Sequence, residues 1–321
     1  MEIEKTEEHL ESTYRKVENA VSWGVDKRVL LTIASSYVSS GRTFDGKRFL
    51  EISDSIKKST KWYSPLRGNI MYVIASLLDQ DDSEIEEKLN VLFNKAEALK
   101  AAGFKESVHL YLAASLLPDE SDLYAEAVKA KDFYDEIKKR HRYLTYHDDY
   151  TYAVLLRNNG DPSEQADVMR SYYDDLRAEG FMLGNELQWM SQVLAYGNSS
   201  LDRSLPARAA EIRDSFKVLG TKIRTSHFPQ LGFVTGFRLN GQQLQQLSEI
   251  VKNLESMKLF RWYKDMAFPI AVQLMIRELM NEDQAIDISM AATVEMLMQA
   301  QQTAMLAVVS TSVAASSTGG E

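Results

Sequence analysis

Two groups of side chains have types and spacing that could hold a metal ion or move a proton. The run DDSE places Asp81, Asp82 and Glu84 together, an acidic cluster of the kind that binds divalent cations. His147, Asp148 and Asp149, with His141 six residues back, mix imidazole and carboxylate donors. Each group also has a plainer role. The acidic run opens a helix after a turn, where carboxylates cap free amides and meet the positive helix end. The His/Asp group falls where two helical hairpins join. A metal centre or active site built from Asp81, Asp82, Glu84, His147, Asp148 and Asp149 is therefore the alternative reading. No residue is assigned as catalytic, and no cofactor is expected. The chain lacks a phosphate-binding glycine loop, a dinucleotide fingerprint, a zincin helix and a serine nucleophile elbow.

The elements that must position these residues repeat. A small residue followed three positions later by leucine recurs at Ala75, Ala114, Ala153, Ser191 and Gly236, at steps of 39, 39, 38 and 45 residues. A second column holds Leu99, Ile137, Leu176, Phe216 and Leu254, at steps of 38, 39, 40 and 38. Self-similarity near 40 residues marks stacked repeats. Each copy has an apolar run such as NIMYVIASLLD, a polar turn, and then an amphipathic run such as EIEEKLNVLFNKAEALKAAGF. That is helix, turn, helix. One hairpin cannot bury its own apolar face, but stacked hairpins bury a continuous core. Gly103, Gly180 and Gly220 fall where a left-handed residue closes the second helix of a copy.

The expected fold is all-α: a solenoid-like stack of about five to six hairpins, of tetratricopeptide or HEAT type, with helical caps. The predicted divisions are a cap helix at 1–24 and repeats at 25–68, 69–108, 109–148, 149–187, 188–229 and 230–268. Capping helices follow at 269–309, then a disordered tail at 310–321.

Composition narrows the function classes. Basic residues number 37 against 46 acidic, a net charge of −9, which argues against nucleic acid as a partner. There is no cysteine, so disulfides and thiolate metal sites are excluded. The opening segment lacks the apolar core of a secretory signal, and a cytoplasmic location is expected. Residues 286–313 are poor in charge, but their unbroken apolar part, AMLAVV, falls far short of the roughly 20 residues of a spanning helix. Membrane contact is not expected. The basic runs Lys57, Lys58, Lys61 and Lys138, Lys139, Arg140, Arg142 end second helices, where cations offset the negative helix end.

Tyr72, Tyr111, Tyr152 and Trp189 fall on or beside the first helices of successive copies. Stacking would align them into an aromatic-lined concave surface, and tyrosine and tryptophan dominate interaction hot spots. These four are the predicted partner-binding residues, and the expected function is a non-enzymatic scaffold that holds a peptide or protein there. The competing expectation is an α-helical enzyme or small-molecule binder with acidic and histidine groups inside a cup.

The run KWYSPLRGNIMYVIASLLD at 61–79, the LRAEGF end of the third full copy and the helical tail ending in small residues resemble a bacterial family catalogued as domain of unknown function 4003. The resemblance covers most of the chain. It implies a bacterial, cytoplasmic protein and carries no active-site residues with it.

Overall fold

The computed structural model describes residues 3–21, 24–81, 83–119, 122–196 and 200–282. Asp82 lies outside them, as does everything beyond 282, including most of the expected capping helices and the whole predicted tail. Among the described residues the chain is all-α, with no strand. The helices are α1 (Ile3–Ala20), α2 (Lys27–Ser39), α3 (Gly46–Ser59), α4 (Asn69–Leu78), α5 (Ile85–Ala101), α6 (Val108–Leu116) and α7 (Leu123–Arg140). They continue as α8 (Tyr150–Leu156), α9 (Pro162–Ala178), α10 (Asn185–Ala195), α11 (Ser204–Val218), α12 (Phe228–Gly236), α13 (Gly241–Ser256) and α14 (Ala267–Glu282). Two compact units divide the described residues: one holds those up to Pro118 together with 276–282, and the other is Asp119–Met275.

Local chemistry sets the helix ends. Asp26, Asp45, Ser107, Asp122 and Asp161 each accept a backbone N–H in the first turn of the helix they precede. Asn240 and Gln243 cap reciprocally at α13, with bonds of 3.0 and 2.9 Å. Gly103, Gly180 and Gly220 take φ of 103°, 81° and 79°. After them Phe104, Phe181 and Thr221 donate back to the carbonyls of Leu99, Leu176 and Phe216.

Long and short helices alternate and bury themselves differently. The long ones hide one stripe, which carries the second column: Ile56, Leu99, Ile137, Leu176, Phe216 and Leu254 are all fully buried. The short ones are buried all round. Every residue of 70–77 in α4, 187–195 in α10 and 228–235 in α12 is inside. From α3 to α11 each long helix packs most closely on the short helix that follows it, α3 on α4 and α5 on α6 in the first unit, and α7 on α8, α9 on α10 and α11 on α12 in the second. Long helices also neighbour long ones (α7, α9, α11 and α13 in succession), and α10 lies against α12.

The first column needs one correction. Ala75, Ala114, Ala153 and Ser191 are fully buried, but Gly236 is exposed and a methyl there would meet nothing within 4 Å. Gly232 takes its place one turn earlier. A Cβ on Gly232 would stand 3.0 Å from Val193 Cγ1 and 3.4 Å from Met190 Cγ, so this is where α10 and α12 touch. We expect Gly232→Ala to cost about 1–3 kcal/mol through overpacking. Gly236→Ala, at the helix end, should be neutral or slightly stabilising. Urea unfolding of both variants measures the difference.

Polar side chains tie the turns at the starts of the long helices. In the first unit Asp79 accepts from Tyr37 Oη at 2.5 Å and Arg48 Nε at 2.9 Å, while Arg42 donates to the Asp79 carbonyl. In the second, Arg157 Nε meets Glu126 at 2.6 Å with both side chains largely shielded, and Arg238 meets Asp202 at 2.9 Å.

Candidate functional site

The four aromatics expected on an open groove are inside the protein. Tyr72, Tyr111 and Trp189 are each 6% exposed and Tyr152 is 2% exposed. Tyr72 stacks on Phe49 with ring centroids 6.0 Å apart, and Tyr152 stacks on Trp189 at 6.5 Å. Tyr111 donates to Glu106 at 3.0 Å, and burial pushes its phenol pKa up. The reason is the all-round burial of the short helices: a side chain at these positions fills space between helices whatever its type.

Of the acidic run, Asp81 is held by local partners. Asp81 accepts the Ser83 N–H at 2.8 Å and pairs with Lys88 Nζ at 2.9 Å. Its hydrogen bonds from Ser83 and Lys88 hold the carboxyl well below the usual range. Glu84 sits at the N-cap of α5 without a side-chain cap bond. Among the described residues no group of three or more histidines and carboxylates is placed to hold a metal ion.

His147, Asp148 and Asp149 form a one-turn 3-10 segment leading into α8. Asp149 is completely buried. Its Oδ1 accepts from Gln188 Nε2 at 3.1 Å and Gln192 Nε2 at 2.9 Å, and its Oδ2 accepts the Tyr146 N–H at 3.0 Å. These three donors occupy most of the carboxylate's roughly four lone-pair sites. Burial raises the pKa of Asp149, and the like charge of Asp148 adds to it. Gln188 also donates to Thr145 at 3.0 Å, so the carboxylate clamps the segment between α7 and α8 onto α10. His147 lies against the Tyr150 ring at 5.2 Å. His141 and His227 are buried beside Tyr173 and Phe268, and burial lowers both to about 4. Neither imidazole is poised for proton transfer near neutral pH.

What stands exposed is elsewhere. Several of the links that follow the long helices, those after α3, α7, α9 and α13, carry large apolar side chains in water. In the second unit Tyr143 is 83% exposed, Met182 67% and Trp262 77%, with Tyr146 and Leu183 also exposed. In the first unit Trp62 and Tyr63 occupy the equivalent link after α3. Within the second unit α7, α9, α11 and α13 lie side by side in succession, so their C-terminal ends share one edge. Contacts in the second unit join the links in order. Phe181 meets Phe228 at 5.1 Å, Thr225 Oγ1 approaches Met182 Sδ at 3.8 Å, and His227 Nε2 lies 3.1 Å from the Asp265 carbonyl.

The same edge is basic. Arg142, Lys222, Arg224, Arg261 and Lys264 are exposed, and none has a carboxylate partner among the described residues. Part of that charge offsets the negative helix ends. The opposite ends of α7 and α9 carry the capping aspartates Asp122 and Asp161. The protein as a whole is acidic, yet this edge of the second unit is cationic and apolar together.

Sequence periodicity held the clue to this edge. Lys61-Trp62-Tyr63 and Arg261-Trp262-Tyr263 stand five repeat lengths apart, with Arg142-Tyr143 at the same phase between them. The aromatics of the first helices drew attention because they lie in regular apolar runs. Those runs are the core.

The chain belongs to the family described as "Protein of unknown function (DUF4003)", whose profile matches residues 13–303. It is similar to "Uncharacterized protein YeaA" of Bacillus subtilis (strain 168), 28% identical over 321 residues, which is 98% of this chain and 97% of that protein. No solved structure matches it. No helix among the described residues is long and apolar enough to cross a membrane.

Proposed function

We propose that this chain is a non-enzymatic helical-repeat scaffold, a solenoid-like stack of hairpins over about residues 25–268, that binds a protein or peptide partner. The surface assigned to the partner is the link edge of the second unit, in place of the short-helix face. The observation that carries this reading is the exposure of Tyr143, Met182, Leu183 and Trp262 in three of the four links of the second unit, those after α7, α9 and α13. Exposed apolar side chains of this size, grouped and rimmed by charge, mark interaction surfaces. Within each unit the order of neighbours, long helix beside long helix, supports a stacked arrangement.

A photo-crosslinking amino acid tests it. Placed at Met182 or Trp262 in the intact chain, it should give a discrete adduct in the native cell. That adduct should vanish on adding Leu183→Ser. The same probe at Glu164, exposed at the other end of α9, should give none. Equal labelling from both ends, or none from the edge, would refute the assignment.

A further inference from the structure

We infer that the partner at this edge presents an acidic side chain flanked by apolar ones. The inference rests on the docking assignment above and adds the chemistry of what docks. Between the ends of α9 and α11 lies an open cleft of about 630 Å³, lined by Gly180, Arg213, Asp214, Lys217, Gly220 and Lys222. Three cations face one carboxylate. Asp214 is already engaged by Arg213 Nε at 3.1 Å. Arg213 Nη1 donates to the Glu179 carbonyl at 3.1 Å, and its guanidinium lies 4.7 Å from the Phe181 ring centroid, so the group is held in place rather than free. Lys217 and Lys222 are exposed and have no partner among the described residues.

The two glycines shape the cleft. Both take positive φ, and a methyl at either would meet only side-chain atoms, Arg213 Nη1 at 3.9 Å or the Lys252 terminus at 3.8 Å. Bare backbone therefore forms part of the lining. Exposed Met182 and Leu183 follow Gly180 in the chain, and exposed Val218 follows Lys217, so apolar groups neighbour the lining. A carboxylate entering here meets fixed and mobile cations, with those apolar groups nearby. A flat bilayer would reach the rim but not the cleft. A polypeptide side chain reaches both, and this favours a protein segment over a membrane as the occupant. Screening keeps the attraction local: at physiological salt a charge is felt over about 8 Å, so the overall negative charge of the protein does not oppose a short acidic segment at this edge.

The probe is a short fluorescent peptide of glutamate and leucine in an amphipathic helical pattern, with its glutamine-for-glutamate counterpart as control. Fluorescence anisotropy with the full chain should show binding of the glutamate peptide. Affinity should fall about tenfold or more when salt is raised from about 50 to 300 mM. Lys217→Glu combined with Lys222→Glu, both on the surface, should abolish binding without altering the circular dichroism spectrum. Equal binding of the glutamine peptide, no binding of the glutamate peptide, or indifference to the charge reversal would overturn the inference. Tighter binding to vesicles containing phosphatidylglycerol than to the peptide would overturn it in favour of a membrane. The docking reading fails separately: Met182→Ser with Leu183→Ser should weaken both peptides, and if it weakens neither, the edge itself is not the surface.

Discussion

Trp189→Ala should lose about 3–5 kcal/mol of unfolding free energy, and Trp262→Ala should change it by less than about 0.5 kcal/mol. The two residues share a type and differ in place. Trp189 lies on a helix buried on every side, stacked on Tyr152, and its truncation leaves a cavity between α10 and its neighbours. Trp262 stands in water on a link, with the Arg261 guanidinium 5.2 Å from its ring centroid as its notable contact. Chemical denaturation of both variants measures the contrast. The same logic predicts opposite functional results: Trp262→Ala keeps the fold and loses the partner, whereas Trp189→Ala loses partner binding only in proportion to the unfolded fraction.

Replacing Asp149 with asparagine should stabilise the protein at alkaline pH, by on the order of 2 kcal/mol at pH 8, and change little near pH 5. Burial raises the folded-state pKa of Asp149 above its unfolded value. The folded chain therefore binds this proton more tightly than the unfolded chain, and the contribution falls as pH rises from the ordinary carboxylate range toward the raised value. The neighbouring charges are Asp148, itself raised by burial, and Glu186, which adds to the Asp148 shift. Asparagine removes the buried charge and keeps the shape. Its NH2 replaces an oxygen that now accepts from Gln188 and Gln192, and reversal of a glutamine amide, whose Oε1 is buried without a partner, turns an acceptor toward it. His141 and His227 act oppositely: held to about 4, they stay neutral in the fold, and stability falls as pH drops below the ordinary histidine value. The difference between Asp149→Asn and the parent chain cancels the histidine contribution. A thermal melt series from pH 5 to 8 should show the two curves diverging upward in pH. Parallel curves would place the Asp149 proton elsewhere.

Helix order, helix type and the inward positions were legible in the sequence because they depend on local spacing. Leu99, Ile137, Leu176, Phe216 and Leu254 follow from period alone, and so do the glycine closures at 103, 180 and 220. Pairing was less legible. A short helix that is apolar all round can satisfy the long helix before it or the one after it, and periodicity does not choose between them. The last copy slipped by one turn for a related reason. Gly232 and Gly236 both fit a small-residue column, and only the Val193 contact separates them. The candidate site was least legible. An aromatic in a regular apolar run reads like a hot spot when the run is imagined on an open face. Burial of that face turns Tyr72, Tyr111, Tyr152 and Trp189 into packing. The exposed aromatics sit in irregular links, where only their recurrence at the repeat length distinguishes them from ordinary loop residues.

Side-chain oxidative footprinting of the intact chain tests most directly where its available surface lies. Tyr143, Met182, Trp62 and Trp262 should be modified rapidly, and Tyr72, Tyr111, Tyr152 and Trp189 should stay protected until the protein unfolds. Rapid modification of the second set, with protection of the first, would mean that the short helices form an open face and the links do not.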